Sequence, residues 1–249
     1  MAVLRPLAYK VHPYKWNTIG KEIRHIEEAS MADVRNFFER YYVPGNAILS
    51  ISGNVSVKEV SRLAEKWFGP IPGKKHPVNK YAPEPRQDAK RVLKVSKKVP
   101  SGRLYKAYHC CGRTDPEFYA TDLLGDILSK GHSSRLYHSL VREKKIFTEV
   151  HAYHTGDLDK SLLVFEGRLV NGVDIEKAEQ AINMEVESLK DKAVPEKELT
   201  KVKQMMEAMM VCSETKIGHR ALNLAFFEML GDANLYNQQL KMPWLIWKV

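Results

Sequence analysis

Apolar residues recur along this chain at two different periods. From Ser30 to Tyr42, Val34, Phe37, Phe38 and Tyr41 fall at helical spacing, Ser30 stands where an N-cap belongs, and Pro44-Gly45 follows the end, so a helix is predicted. Residues 46–52 then predict a strand, punctuated by Gly53-Asn54. Ser56, with Glu59 three positions on, predicts the cap of a second helix whose buried stripe is Val57, Val60, Leu63, Ala64 and Trp67.

From Gly69 to Ala89 the pattern dissolves into Pro70, Pro72, Pro77, Pro83 and Pro85, which reads as an extended connection between domains. Beyond it, residues 91–99 and 104–111 predict strands joined by a Pro100-Ser101-Gly102 turn, most simply as a hairpin. A helix is predicted from Pro116, with Ala120, Leu123, Leu124, Ile127 and Leu128 as its apolar stripe and Gly131 as the left-handed residue after its end. A short helix follows near Ser133 or Ser134. Strands are predicted at 147–155 and 162–170, separated by Gly156-Asp157-Leu158-Asp159, and helices at about 174–192, 196–212 and 216–230. Strands in a run followed by helices indicate an α+β fold. The apolar end Met242-Pro243-Trp244-Leu245-Ile246-Trp247 shows neither period.

Composition narrows the class without naming a function. The chain has 249 residues, 44% apolar and 28% charged, which argues against disorder and against a fibrous class and leaves room for a core that needs no metal or disulfide. No run approaches the roughly 18 apolar residues of a membrane span, and Met1 to Pro6 has no apolar signal core, so a soluble chain, cytoplasmic or periplasmic, is expected. The net charge of +9 is spread along the chain with glutamates three or four positions from many lysines, which reads as a solvated surface and not as a nucleic-acid footprint. One local excess, Lys90 through Lys94, Lys97, Lys98, Arg103 and Lys106 to Arg113, is the exception, and it suits acidic peptides. Cys110 and Cys111 are adjacent, and on a strand their side chains would point to opposite faces, against a disulfide between them.

Candidate chemistry is sparse. A helical zinc site of the hydrolytic kind needs two histidines on one face, a carboxylate ligand and a glutamate as base. Neither H-E-x-x-H nor H-x-x-E-H occurs; the nearest approach, His25-Ile26-Glu27-Glu28-Ala29, has Ala29 where the second histidine belongs. His151 and His154, three apart on a strand, face opposite sides of a sheet. No G-x-S-x-G elbow, Cys/His pair or phosphate loop is present. No catalytic residue and no metal ligand is therefore assigned within the chain.

Three separated blocks carry a resemblance: His12-Pro13-Tyr14 with Thr18-Ile19-Gly20; Tyr41-Tyr42-Val43-Pro44-Gly45-Asn46 through Gly53-Asn54; and Ser133-Ser134-Arg135-Leu136 running into Arg142-Glu143-Lys144. In residues and in order they resemble the insulinase/pitrilysin zinc peptidases, over about residues 9–231. The resemblance implies two-layer units of antiparallel sheet packed against helices, part of a duplicated clamshell. It assigns 1–72 to the end of a first, catalytic-type domain, 73–90 to a proline-rich linker, 91–231 to a second, substrate-chamber domain, and 232–249 to a tail, truncated or foreign. The zinc motif of the family would lie upstream of Met1, so zinc belongs to the full-length parent, and this chain, lacking both ends, is expected to be inactive alone.

In active members an arginine and a tyrosine seven residues apart reach from the second domain toward substrate. Arg142 matches the arginine, and Glu149 stands at the tyrosine position. A guanidinium suits a substrate carbonyl or developing oxyanion, whereas an ionised Glu149 would repel one and would rather meet a neighbouring lysine. The resemblance further implies extended peptides or unfolded polypeptide as ligands, bound by addition to a sheet edge. The missing N-terminal half or a paired subunit is the expected protein partner, and exposed apolar surface is compatible with a homodimer. The alternative is a non-catalytic partner or scaffold subunit of the same family.

Overall fold

The computed structural model describes residues 3–20, 22–73 and 80–241. Along the chain run α1 (Leu4–Ala8), α2 (Arg24–Glu27), α3 (Met31–Tyr41), α4 (Val57–Phe68), β1 (Arg103–Cys110), α5 (Phe118–Ser129), a π-helix (Tyr137–Glu143), β2 (Phe147–His154), β3 (Ser161–Leu169), α6 (Ile175–Asp191), α7 (Glu196–Glu214), α8 (Ile217–Met229) and α9 (Asn234–Lys241). They divide into two units, one of residues 3–11 and 84–208, the other of residues 12–83 and 209–241, taken over the described positions. Of the proline-rich stretch 73–90, residues 74–79 lie outside the described ones, as do residues 242–249 of the tail.

The first unit is a three-stranded antiparallel sheet in the order β1-β3-β2 with helices against one face. β3 is central and its run Ser161–Phe165 is buried throughout, as its apolar sequence requires. Leu128 of α5, Leu136 and Leu140 around the π-helix, Val150, Ala152, Leu163, Phe165 and Leu169 of the sheet, and Ala178 and Ile182 of α6 form one core. Each fully buried leucine or phenylalanine there contributes about 2–3 kcal/mol of transfer free energy. Two positions need glycine, one for its backbone angle and one for a close approach. Gly131, at φ 81°, leaves α5 in the left-handed region as its position predicts. A Cβ on Gly167 would run into the Phe147 ring. Arg135 ties the start of the π-helical region to α7 through a bidentate pair with Glu198, Nε to Oε1 at 3.0 Å and Nη2 to Oε2 at 2.8 Å.

In the second unit local capping holds the helices. Ser30 and Asp33 form a reciprocal capping box, the Asp33 amide donating to Ser30 Oγ at 3.2 Å and the Ser30 amide to Asp33 Oδ2 at 3.0 Å. At α4 the Glu59 amide donates to Ser56 Oγ, while the Glu59 carboxylate turns to Arg62 at 2.7 Å and does not reach back. Tyr236 of α9 packs on Phe227 of α8 and its hydroxyl meets Asn223 and Glu214.

Three expectations require correction. Residues 46–52 and 91–99 form no strand, because a strand needs a neighbouring ladder and β1 spends its paired edge on β3, from Arg103 opposite Arg168 to Cys110 opposite Ser161. The 91–99/104–111 hairpin is therefore absent; Arg91 instead donates to the Leu7 and Ala8 carbonyls, and Lys94 pairs with Glu176 at 2.6 Å. Nor is the stripe of α4 buried, Trp67 being 65% exposed, and on α3 Phe37 and Phe38 are likewise 56% and 58% exposed. Their amphipathic pattern is real, but nothing within the described residues covers those faces.

Candidate functional site

Register sets out a polar surface on the sheet face away from the core. Glu149 of β2, Arg168 of β3 and Arg103 of β1 lie opposite one another, followed by His151, Glu166 and Tyr105, then Tyr153, Val164 and Ala107. A register shift between Phe147 and Glu149 is what places Glu149, not Thr148, opposite Arg168. Glu149 Oε1 meets Arg168 Nε at 3.0 Å and Arg103 Nη2 at 4.0 Å; the partner expected as a lysine is a pair of arginines. Glu166 accepts from Arg103 Nη1 at 2.9 Å and from the Tyr105 hydroxyl at 2.8 Å. Burial, then the Glu166 bond, pushes the Tyr105 hydroxyl above its ordinary range, and burial does the same to Tyr153, so both stay protonated donors near neutral pH.

The far end of this face is closed. Tyr9 sits edge-on against His109 with ring centroids 5.2 Å apart and donates its hydroxyl to the Lys160 carbonyl at 2.8 Å. His109 Nε2 lies 3.1 Å from the Ala8 carbonyl, and Arg5 pairs with Asp157 at 3.2 Å. Since only an N–H can bond a carbonyl, the proton of a neutral His109 is on Nε2. The second edge of β1 is unpaired among the described residues and borders a pocket of about 390 Å³ lined by Leu104 to His109, Arg91 to Lys94, and Leu4 and Leu7.

Arg142 lies in the π-helix, exposed, with no ion pair among the described residues. It and Glu149 are not joined to each other: Glu149 is committed to the sheet face and Arg142 is free to reach solvent. Lys145, three residues on, holds φ at 51°, and Glu185 beside it accepts from Ser139 Oγ at 2.5 Å and Lys144 Nζ at 3.1 Å, which fixes the end of the π-helix.

Four cations of the basic stretch 90–113 are paired with carboxylates of the same chain. Lys90 and Lys106 both meet Glu179, at 2.7 and 3.1 Å, Lys94 meets Glu176, and Arg103 meets Glu166. The Lys90 hydrogen bond holds Glu179 below the usual carboxylate range, and Lys94 brings Glu176 down to about 2. Lys90, Lys94 and Lys106 thus clamp onto α6, while Arg103 pairs within the sheet. His151 and His154 occupy opposite sheet faces as their spacing predicts, His151 opposite Glu166 and His154 edge-on to Phe118 of α5. No group of three or more His, Cys, Asp or Glu residues is arranged to hold a metal among the described residues, and no helix there is long and apolar enough to cross a membrane.

Helices on one face of an antiparallel sheet and a polar second face define an α+β unit. The model of the peptidase M16 inactive domain matches residues 28–206, and the chain belongs to that family. It is 29% identical over 203 residues to the zinc protease PqqE of Helicobacter pylori, covering 79% of this chain and 45% of that protein. To the uncharacterized zinc protease YmxG of Bacillus subtilis it is 25% identical over 209 residues, covering 80% and 49%. The crystal structure of a protease from Helicobacter pylori superposes with a TM-score of 0.86 at 25% identity, over 97% of this chain and 58% of that one. The chain thus spans about half the length of the curated relatives it matches, and its α+β fold is that of the clamshell peptidases.

Proposed function

We propose that this chain supplies the substrate-chamber half of a zinc endopeptidase, holding extended peptide while a second half carries the metal and the general base. The observation that carries the reading is the unpaired edge of β1 beside the 390 Å³ pocket, with the polar sheet face adjoining it. Backbone amides and carbonyls along such an edge give affinity for an extended peptide with loose side-chain selectivity. Arg142, exposed on the π-helix, is assigned in this reading to a substrate carbonyl, and Glu149 tunes the face and contacts no oxyanion. In this reading residues 1–72 close a first domain, 91–231 form the chamber domain, and 73–90 connect them. The uncovered apolar faces of α3 and α4 support association with that second half, or with a second copy of the chain when it is absent.

The test is fluorescence anisotropy with a labelled unstructured peptide and with the same peptide N-methylated at alternate amides. Binding that the methylated peptide loses supports edge addition; equal binding of both, or none, contradicts it.

The commitment of Glu149 to Arg168 and Arg103 favours a second reading, a partner subunit that never contacts the reacting bond. Adding a separately produced peptidase half that bears H-x-x-E-H distinguishes the two. Cleavage that appears only on mixing supports the first reading; association without cleavage supports the second.

A further inference from the structure

β1 ends at Cys110, and the strand alternation that would send Cys111 to the other face ends with it. Cys110 packs against the core on the helix side of the sheet. Cys111 turns to that same side: its thiol donates to Thr121 Oγ1 of α5 at 3.3 Å, and His154 Nε2 holds its carbonyl at 3.1 Å. The next residue, Gly112, is locked in a turn by its amide bond to Asp115 Oδ2 at 2.7 Å, and a Cβ there would strike the Leu158 and Asp159 carbonyls. Both thiols are free, half-buried, and line an open cleft of about 890 Å³ together with His109, Asp115, Thr121 and Lys160. This cleft adjoins the pocket at the unpaired edge of β1, with which it shares Gln87, Lys90, Ala107, Tyr108 and His109, and adds the two thiols.

We propose that Cys110 and Cys111 form a preorganised vicinal dithiol that captures a soft, thiophilic electrophile from this cleft, of which trivalent arsenic is the type. Adjacent Cα atoms stand about 3.8 Å apart across a trans peptide, below the roughly 4.4–6.8 Å span that an unstrained disulfide takes, so direct S–S closure is disfavoured. A larger bridging atom widens the ring and removes that obstacle. Soft thiolate pairs are also the donors that soft ions select. Burial above all, and then the neighbouring Cys111, push the Cys110 thiol up to about 12. Cys110 therefore stays protonated near neutral pH.

With phenylarsine oxide the step balances without an oxidant. Two S–H bonds and the As=O bond break, two As–S bonds form, the oxygen leaves as water with both protons, and arsenic remains trivalent.

The experiment is titration of the full chain with phenylarsine oxide, read by intact mass and by counting thiols with a chromogenic disulfide. The expected result is one adduct, two of the three cysteines lost to the thiol reagent, Cys212 still reactive, and release by a dithiol but not by a monothiol. Peptide mapping of the wild-type adduct should place it on the 110–111 pair, so the conclusion does not depend on a variant folding. Cys111→Ser should lose the adduct and Cys212→Ser should keep it. Preorganisation predicts capture at least about tenfold tighter in the folded chain than in urea. No adduct on the folded chain, an adduct that a monothiol releases, or equal capture in urea would each overturn the proposal.

Discussion

Glu149 lies directly opposite Arg168 in the β2–β3 ladder, and their side chains close to 3.0 Å on the open face of the sheet. Where the resemblance implies a tyrosine for substrate, this chain has an ion pair that keeps the position occupied by its own sheet. Both partners are close to half exposed, so the pair contributes specificity of the face more than stability.

A double-mutant cycle between Glu149→Ala and Arg168→Ala should therefore give a coupling of about 0.2–1 kcal/mol that shrinks as salt is added. Urea denaturation at low and high ionic strength measures it; a coupling well above that range, insensitive to salt, would mean that the face is sealed from solvent.

Arg135 and Glu198 stand in contrast, being bidentate and each only 19% exposed. Arg135→Ala should cost about 2–4 kcal/mol by leaving a carboxylate without its partner, and Arg135→Lys should recover only part of it because an ammonium cannot reproduce the fork. The same denaturation experiment decides.

Gly167→Ala should destabilise by about 1–3 kcal/mol, since the new methyl meets the Phe147 ring inside the core. Combining it with Phe147→Leu, which makes room, should cost less than the sum of the two single changes; strict additivity in the melting temperatures would refute the contact.

Asp122 on α5 gives a pH prediction. Burial, followed by the neighbouring Asp126 charge, raises its carboxyl above its ordinary value of 3.8, with His154, Lys130 and Arg113 opposing. A carboxyl whose folded-state value is raised binds more protons folded than unfolded. Stability therefore falls as pH rises from about the unfolded value through the folded one, and the penalty is fully present above it. Asp122→Asn should raise the melting temperature at neutral pH and flatten its pH dependence in the weakly acidic range. An unchanged profile would show that Asp122 titrates as a solvated group.

Much of this fold is written locally. The caps at Ser30 and Ser56, the strands around 147–154 and 161–169, and the helices after Asp174 follow from nearest-neighbour chemistry and from burial of apolar runs, and each lies close to its expected place. The segments 46–52 and 91–99 carry strand-like sequence but acquire no ladder, because pairing is a property of the neighbour and not of the segment. The stripes of α3 and α4 are legible as amphipathic for the same reason that their burial is not: periodicity identifies a face, and only a second surface covers it. At the site, Arg142 and Glu149 were reachable only through the resemblance. Arg168, Arg103, Glu166 and Tyr105 were out of reach, because their convergence depends on the β1-β3-β2 order and on the shift between Phe147 and Glu149.

The central claim, a non-catalytic half that takes extended peptide along β1, is tested most directly by hydrogen exchange on Arg103–Cys110 with and without a saturating unstructured peptide, the peptide recovered and weighed afterwards. The account predicts slowed exchange at amides of β1 and a peptide recovered intact. Unchanged exchange in β1, or a peptide cleaved by this chain alone, would contradict it.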